Sequence, residues 1–376
     1  MLGLFSYNDT FNTMKKIDSD ITKAATLQAK FYTSENVFKD TLENIFAKNW
    51  QFITDDSKLK ENRSAFPFQF LGNLLPESLV LVNNEGYISC FSNVCTHRGN
   101  LLINELCTIK KNITCGYHGR QFDICGKFKF MPKTEGMQNF PSAQDDLAEI
   151  AVAKWKQFIF ASLAPNFEFN ELIKEVEERV GWMPIETFQY RKDLSKEYSI
   201  TANWALYCDN YLEGFHIPFI HEDLNAVLDF NSYDVEIFKY TNLQLGIASD
   251  KDICFDLPKN SKDYGKKIAA YYFWVFPNLM LNFYPWGLSV NIITPISVNQ
   301  TKIQFKSYVW DESKLNSGAG ADLHKVELED EKVVQQVQKG VVSRFYEYGR
   351  FSPSMEKGVH HFHTLISRFL DVQNKK

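Results

Sequence analysis

Cys95, His97, Cys115 and His118 are the side chains of this sequence best placed to hold metal, and their spacing says which kind. They occupy two short runs, Cys95-Thr96-His97-Arg98-Gly99 and Cys115-Gly116-Tyr117-His118-Gly119, with 17 residues between His97 and Cys115. Each run offers one thiolate and one imidazole. Such a set suits a [2Fe–2S] centre in which one iron takes two Cys and the other two His. Imidazoles are neutral, so this centre accepts an electron more readily than an all-cysteine one. A structural zinc site is the competing reading, but zinc knuckles usually keep their cysteines together and their histidines together. Here each knuckle is mixed, and glycines flank the ligands where backbone must turn tightly and offer N–H groups to sulfur.

A second constellation lies in Trp204 to His221, WALYCDNYLEGFHIPFIH. Asp209, Glu213 and His216 stand at steps of four and three, which predicts one face of a helix. His221 follows five residues after His216, about 140° further round an ideal helix. Pro218 lies between them and cannot donate an N–H, so a break there is expected to bring the imidazoles together. Two His and one carboxylate, leaving open positions, form the facial triad that suits non-haem Fe(II) and O2 activation. The carboxylate must come from elsewhere, and the acidic run Glu327, Glu329, Asp330, Glu331 is the best candidate. Spacing does not choose among the four, and the same run also suits a helix start, where acids complement the macrodipole.

The elements that must position these residues change character along the chain. Val37–Thr54 shows apolar residues at helical spacing. From Phe66 to about Ser162, short apolar runs alternate with turn residues, and Leu79–Val82, Asn83–Gly86, Tyr87–Phe91 reads as a hairpin. Phe167–Val180 reads as an amphipathic helix closed by Gly181. Strand-like runs recur from about Tyr233 to Trp310. Within them Tyr271–Trp286 is broken by Pro277, Asn278, Asn282 and Pro285, so it predicts buried strands and a turn, not a membrane span. Asn316–Ala321 is a flexible loop. A final helical region starts near Leu323 and runs to the end, weakly interrupted at Gly340 and Gly349.

Composition sets the outer bounds. A chain of 376 residues suggests two or three domains, and a net charge of −5 gives no support to nucleic-acid binding. The first residues lack the basic start and apolar core of a secretory signal. With no export signal, the cysteines beyond Cys95 and Cys115 read as reduced thiols, which predicts a cytoplasmic protein.

Taken together, the two ligand loops and the run Asp209-Asn210-Tyr211-Leu212-Glu213-Gly214-Phe215-His216-Ile217-Pro218-Phe219-Ile220-His221 closely resemble Rieske non-haem iron ring-hydroxylating oxygenase α subunits. The resemblance extends from about Glu35 to the C-terminus. It is strongest to the branch of choline monooxygenase and the carnitine- and betaine-oxidising enzymes, to which Tyr348–Pro353 and Glu356–His363 also point. It implies an α+β fold: a small all-β Rieske domain over residues 37–163, and a catalytic domain over 164–376 with an antiparallel sheet flanked by helices, of helix-grip (START-like) type. Residues 1–36 would pack on the catalytic domain. Cys95, His97, Cys115 and His118 would bind the Rieske cluster, and His216, His221 and Asp330 a mononuclear Fe(II). Glu213 falls at the carboxylate position that links the iron site to a Rieske histidine of the neighbouring subunit, with Asp209 as fallback. Respiratory relatives carry a disulfide where this chain has Asn100 and Tyr117.

The same resemblance implies an NAD(P)H-dependent reductase or ferredoxin as electron donor, O2 as oxidant, a head-to-tail homotrimer, and neither nucleic acid nor membrane as partner. The substrate would be small and quaternary, such as choline, betaine or carnitine. Aromatic residues make up 15% of the chain, and ring faces hold such cations by cation–π attraction. Trp286 and Tyr211 are the expected pocket aromatics, with Tyr207, Phe215, Trp274, Phe283 and Tyr284 nearby. Two rival readings are an aromatic-ring oxygenase and a Rieske electron carrier, which products and iron content respectively would distinguish. His360, His361 and His363 read as hydrogen-bonded residues, since nothing adjacent completes a third metal site.

Overall fold

β-Branched and aromatic runs punctuated by turn residues build two antiparallel sheets of seven strands each, and helices fill the space against the second. The structure is a computed structural model that describes residues 15–72, 74–220, 235–248, 253–315, 317–318 and 323–371. The first sheet runs in the spatial order Gln51–Asp55, Phe158–Ser162, Glu149–Trp155, Tyr87–Ser92, Glu77–Asn84, Ser64–Phe70, Cys107–Thr108. The expected hairpin is present: Asn84 pairs with Tyr87 across a two-residue turn in which Glu85 and Gly86 have φ of 53° and 93°. Positive φ at both positions is what a tight hairpin with native twist requires. Its first strand, Glu77–Asn84, is buried on both faces. Val80, Val82 and Phe91 join a small core that encloses Cys95 and Cys115, whereas Leu79, Leu81 and Cys90 face the main core.

The second sheet runs Gln189–Ile200, Gln300–Val309, Gly287–Ser297, Leu279–Tyr284, Ile268–Val275, Thr241–Ile247, Val235–Ile237. The helix Phe169–Val180 buries Leu172, Ile173, Val176 and Val180, the helical spacing seen in its sequence. The helix Lys357–Leu370 buries Val359, Phe362, Leu365, Ile366 and Phe369. Trp204 lies between Phe46 and Phe362, with ring centroids at 4.9 and 5.6 Å. The two sheets share one apolar core. Between them Tyr308 donates to Asp55 at 2.8 Å, and the Trp50 indole N–H donates to the Phe167 carbonyl at 3.0 Å. The architecture is α+β, as expected. Cys90, Cys95, Cys107, Cys115, Cys125 and Cys208 are free thiols, and among the described residues no helix is long and apolar enough to cross a membrane.

Two expectations need correction. The Val37–Thr54 stretch is not one helix: Glu35–Thr41 runs into a wider turn at Leu42–Phe46, and Gln51–Asp55 is a strand. The helix stops because the Ala47 carbonyl is taken by the N–H groups of Leu163 and Ala164, residues remote in sequence. The C-terminal region is two helices, Leu323–Val341 and Lys357–Leu370. Gly340 is tolerated inside the first, while the segment around Gly349 leaves the helical path to meet Thr26: the Gly349 carbonyl accepts the Thr26 N–H at 3.1 Å, and the Gly349 N–H donates to the Thr26 hydroxyl at 2.8 Å. The Asn316–Ala321 loop lies largely outside the described residues.

Candidate metal centres

The two ligand loops fold as copies of one another. In each, a cysteine carbonyl accepts the N–H of the glycine four residues on, Gly99 to Cys95 at 2.9 Å and Gly119 to Cys115 at 3.0 Å. Both glycines have φ of 71°, a backbone region that side chains disfavour. Each cysteine N–H in turn reaches the carbonyl of Asn100 or Arg120 at 2.8 Å. The loops thereby point both thiols inward, at 2% exposure, and both imidazoles toward the tip. The rings of His97 and His118 are 4.7 Å apart, centroid to centroid.

The two thiols lie in hydrogen-bond contact. Burial raises the Cys95 thiol above its ordinary range, and its neighbour Cys115 adds to this. Burial also pushes at Cys115, but the N–H groups of Tyr117 and His118, with the Asn100 side chain, outweigh it and hold that thiol low. Asn100 Nδ2 stands 3.6 Å from Cys115 Sγ. His118 Nδ1 is buried with no partner. Two inward thiols, sulfur-directed N–H groups and an orphaned ring nitrogen fit a [2Fe–2S] centre with mixed ligands.

The second site is assembled at a helix exit. The helix Trp204–Tyr211 is capped by Asn203 and stops at Leu212. The break thus precedes His216 and does not fall at Pro218, which occupies the first turn of the short helix Ile217–Ile220, where its missing N–H costs nothing. Asp209, Glu213 and His216 therefore do not share one continuous helix face. Glu213 curls back on the exit, accepting the N–H groups of Phe215 and His216. Its other oxygen takes His216 Nδ1 at 2.6 Å. That bond leaves His216 Nε2 facing Asp330 Oδ1 at 3.4 Å, with Asn210 Nδ2 at 3.5 Å.

The helix Leu323–Val341 is held in register by two glutamines on the chain entering the Trp204 helix. Gln338 accepts the N–H of Asn203 at 2.8 Å, and Gln335 that of Thr201 at 3.2 Å. Of the acidic run, Asp330 is thus the residue set against His216, while Glu327 turns to Tyr207, whose hydroxyl donates to it at 2.6 Å. Burial pushes the Glu327 carboxyl up to about 8. Burial alone would lower the His216 imidazole, but the Asp330 and Glu213 carboxylates raise it to about 9. An imidazole nitrogen and a carboxylate oxygen directed at one place, with the other ring nitrogen locked by a second carboxylate, fit an Fe(II) ligand set. His221 lies outside the described residues.

Asp209, the fallback for the Glu213 position, is engaged elsewhere. Tyr32 donates to its Oδ2 at 3.0 Å, and His363 Nε2 to its Oδ1 at 2.9 Å. The three C-terminal histidines are all satisfied: His360 on the Asp18 carbonyl at 2.7 Å, His361 on Asn242 at 2.7 Å, and His363 on Asp209. Tyr211 and Trp286 fall in one neighbourhood. Tyr211 donates to Asn282 Oδ1 at 2.6 Å, and two residues along that strand Tyr284 stacks on Trp286 at 5.3 Å and meets Tyr272 edge-on at 5.9 Å. Trp274 instead packs on Phe362 and Phe276 in the core. Sequence reasoning passed over Asn210, Tyr32 and Arg120. For Arg120 the available signal was a charged residue directly after a ligand loop and beside the apolar Phe122.

Comparison with known proteins assigns both halves. The Rieske [2Fe-2S] domain matches residues 49–141, and the ring hydroxylating alpha subunit (catalytic domain) matches residues 187–371. Choline monooxygenase (chloroplastic) of Arabidopsis thaliana is 27% identical over 98% of this chain and 89% of its own length. The carnitine monooxygenase oxygenase subunit of Escherichia coli (strain K12) is 29% identical over 92% and 94%. The quaternary ammonium Rieske monooxygenase CntA, in complex with its substrate L-carnitine, has the same fold with a TM-score of 0.73 at 22% identity, over 94% of this chain and 99% of that one. Naphthalene 1,2-dioxygenase with indole in its active site shares the fold at a TM-score of 0.65 and 17% identity, over 92% of both chains.

Proposed function

The chain belongs to the Rieske non-haem iron ring-hydroxylating oxygenase α subunits, and from that premise we propose that it is the oxygenase component for a small quaternary ammonium substrate such as choline, betaine or carnitine. It is an oxidoreductase of the monooxygenase type whose domains carry a Rieske cluster and a mononuclear iron. Cys95, His97, Cys115 and His118 would hold the cluster within residues 37–163. His216, His221 and Asp330 would hold the iron within 164–376. Held by these residues, a cluster and an Fe(II) would supply single-electron transfer and O2 activation, the chemistry by which one oxygen atom would enter a C–H bond and the other leave as water, with two electrons and two protons consumed.

The observation that carries this reading is the Glu213–His216–Asp330 line, at 2.6 and 3.4 Å. Glu213 would hold a proton of His216 on Nδ1 and so direct Nε2, set against Asp330, to a metal. The exposed rings of Phe215 and Phe219 lie beside it, and the cluster loops present His97 at an exposed tip. A head-to-tail homotrimer would bring one protomer's cluster histidine to its neighbour's Glu213. Inter-subunit electron transfer is described for a quaternary ammonium Rieske monooxygenase of the same fold. The electron donor would be an NAD(P)H-dependent reductase or ferredoxin, and free thiols such as the exposed Cys107 and Cys125 suit a reducing cytoplasm. The Trp286, Tyr284 and Tyr272 rings, adjoining Tyr211, supply faces for a cationic methylammonium group.

A panel of methylated amines with reductase, O2 and NAD(P)H tests the reading. Aldehyde or formaldehyde release coupled to O2 uptake is expected, with three irons per chain. A cis-diol from an aromatic hydrocarbon, without amine turnover, would move the chain to the ring dioxygenases, and two irons per chain would make it an electron carrier. Glu213→Gln is expected to retain both metals and lose nearly all turnover. Normal turnover in that variant would remove the bridge.

A further inference from the structure

Arg120 follows the second ligand loop directly, yet it is 2% exposed and among the largest fully buried side chains. A guanidinium seldom lies this deep without a defined role, because desolvating it is costly. Its Nη2 donates to Asp145 twice, to Oδ1 at 2.8 Å and to the backbone carbonyl at 3.1 Å. Nη1 stands 3.7 Å from Met131 Sδ, and Nε has no partner. The rings of Phe128, Phe140 and Phe122 surround its Cζ at 4.8, 5.6 and 5.7 Å. The charge is thus confined in a largely apolar wall with one carboxylate to balance it.

Both ligand loops are tied to this side chain. The Arg120 carbonyl accepts the Cys115 N–H at 2.8 Å. Thr96, between Cys95 and His97, donates its hydroxyl at 2.8 Å to the same Asp145 carbonyl that Arg120 reaches. The guanidinium and the first loop therefore converge on one oxygen atom, while the backbone of Arg120 secures the second. Asp145 is itself fixed by the N–H and hydroxyl of Ser142, at 2.7 and 3.1 Å.

We propose that Arg120 is a positioning residue that sets the reduction potential of the cluster, with Asp145 as its opposing charge. The inference rests on the assignment of the four ligands given above. Reduction adds one negative charge to the cluster, so a fixed cation in its low-dielectric wall favours the reduced form, and a nearby anion opposes it. Arg stays protonated at every usable pH, which makes the bias constant. Exposed Arg98 has the same charge, but solvent and salt screen it.

The test uses the full chain with its cluster, titrated with dithionite and followed by absorbance and EPR. Arg120→Met is expected to lower the midpoint potential by about tenfold in the one-electron equilibrium constant, which is about 59 mV. Asp145→Asn keeps the shared backbone carbonyl and is expected to raise the midpoint, whereas Arg120→Lys keeps the charge and leaves it near the wild-type value. A purely structural Arg120 would reduce cluster content and leave these potentials unordered. If Arg120→Met retains no cluster, Asp145→Asn decides: an unchanged midpoint overturns the proposal. A wild-type chain without a reducible [2Fe–2S] signal would instead overturn the ligand assignment itself.

Discussion

The four proposed cluster ligands come from residues 95–118, in one loop after the first-sheet strand Tyr87–Ser92 and one joining Ile113–Thr114 to Gln121–Phe122 in a small three-stranded sheet, and each loop closes through its own cysteine and glycine. In the second half of the chain, His216 and Asp330 meet only because two helices, the N-terminal segment and the final helix are packed together. The first arrangement is dictated by local backbone bonds and left-handed glycines. The second is a property of the whole core. A substitution remote in sequence can therefore reach the iron pocket and leave the cluster loops intact. Site legibility and site robustness have one cause here, which is how far apart in sequence the supporting bonds are.

Asp330→Ala gives the hardest test of that separation. Removing a neighbour that merely orients a metal ligand typically costs 10- to 100-fold, so loss of a ligand should reduce turnover by more than about 100-fold. Iron should fall from three to two per chain while the cluster spectrum stays at wild-type intensity. Simultaneous loss of the cluster would show that the two centres are not structurally independent.

Much of the fold could be read in advance where local chemistry decides the outcome. The hairpin at Glu85-Gly86 and the Phe169–Val180 helix need only turn residues and periodicity, and the cluster loops need only their own glycines. The helix stop at Ala47 could not be read, because its carbonyl is claimed by Leu163 and Ala164. The Glu213 turn was legible as a spacing but not as a geometry: the carboxylate bonds its own following N–H groups and ends the helix. The link between Tyr211 and Trp286 runs through Asn282 and Tyr284, and it exists only once strand register is known. Arg120 was hidden because a charged residue reads as exposed until aromatic rings from three segments close over it.

Glu327→Gln sharpens the comparison through pH. The Glu327 carboxyl is raised from 4.5 to about 8 by burial, so between those values the folded state binds more protons than the unfolded one. Stability attributable to this group therefore falls as pH rises through that window. Gln keeps an acceptor for Tyr207 and cannot ionise. Metal-free Glu327→Gln should match the wild type near pH 4 and exceed it by roughly 3–5 kcal/mol above pH 8. Denaturant unfolding at the two pH values measures the difference, and a pH-independent offset would mean Glu327 does not titrate in this range. The midpoint potential of the cluster should be the same in both proteins.

Tyr32→Phe is the mildest perturbation and discriminates most finely. Leu27 donates its N–H to His363 Nδ1 at 3.1 Å, so the ring proton sits on Nε2 and is given to Asp209. Tyr32 supplies the second bond to that carboxylate. Phenylalanine keeps the edge contact with Phe31, at 5.3 Å between centroids, and deletes the hydroxyl alone. Losing one such bond should cost about 1 kcal/mol, a fall of about one to two degrees in Tm for a chain of this size. Because Asp209 anchors the helix that leads to Glu213, iron affinity should fall a few-fold while cluster content and potential stay fixed. Equal weakening of both centres would mean that strain from the N-terminal segment passes through the shared core into the first sheet, and that the cluster loops are less insulated than their local bonding implies.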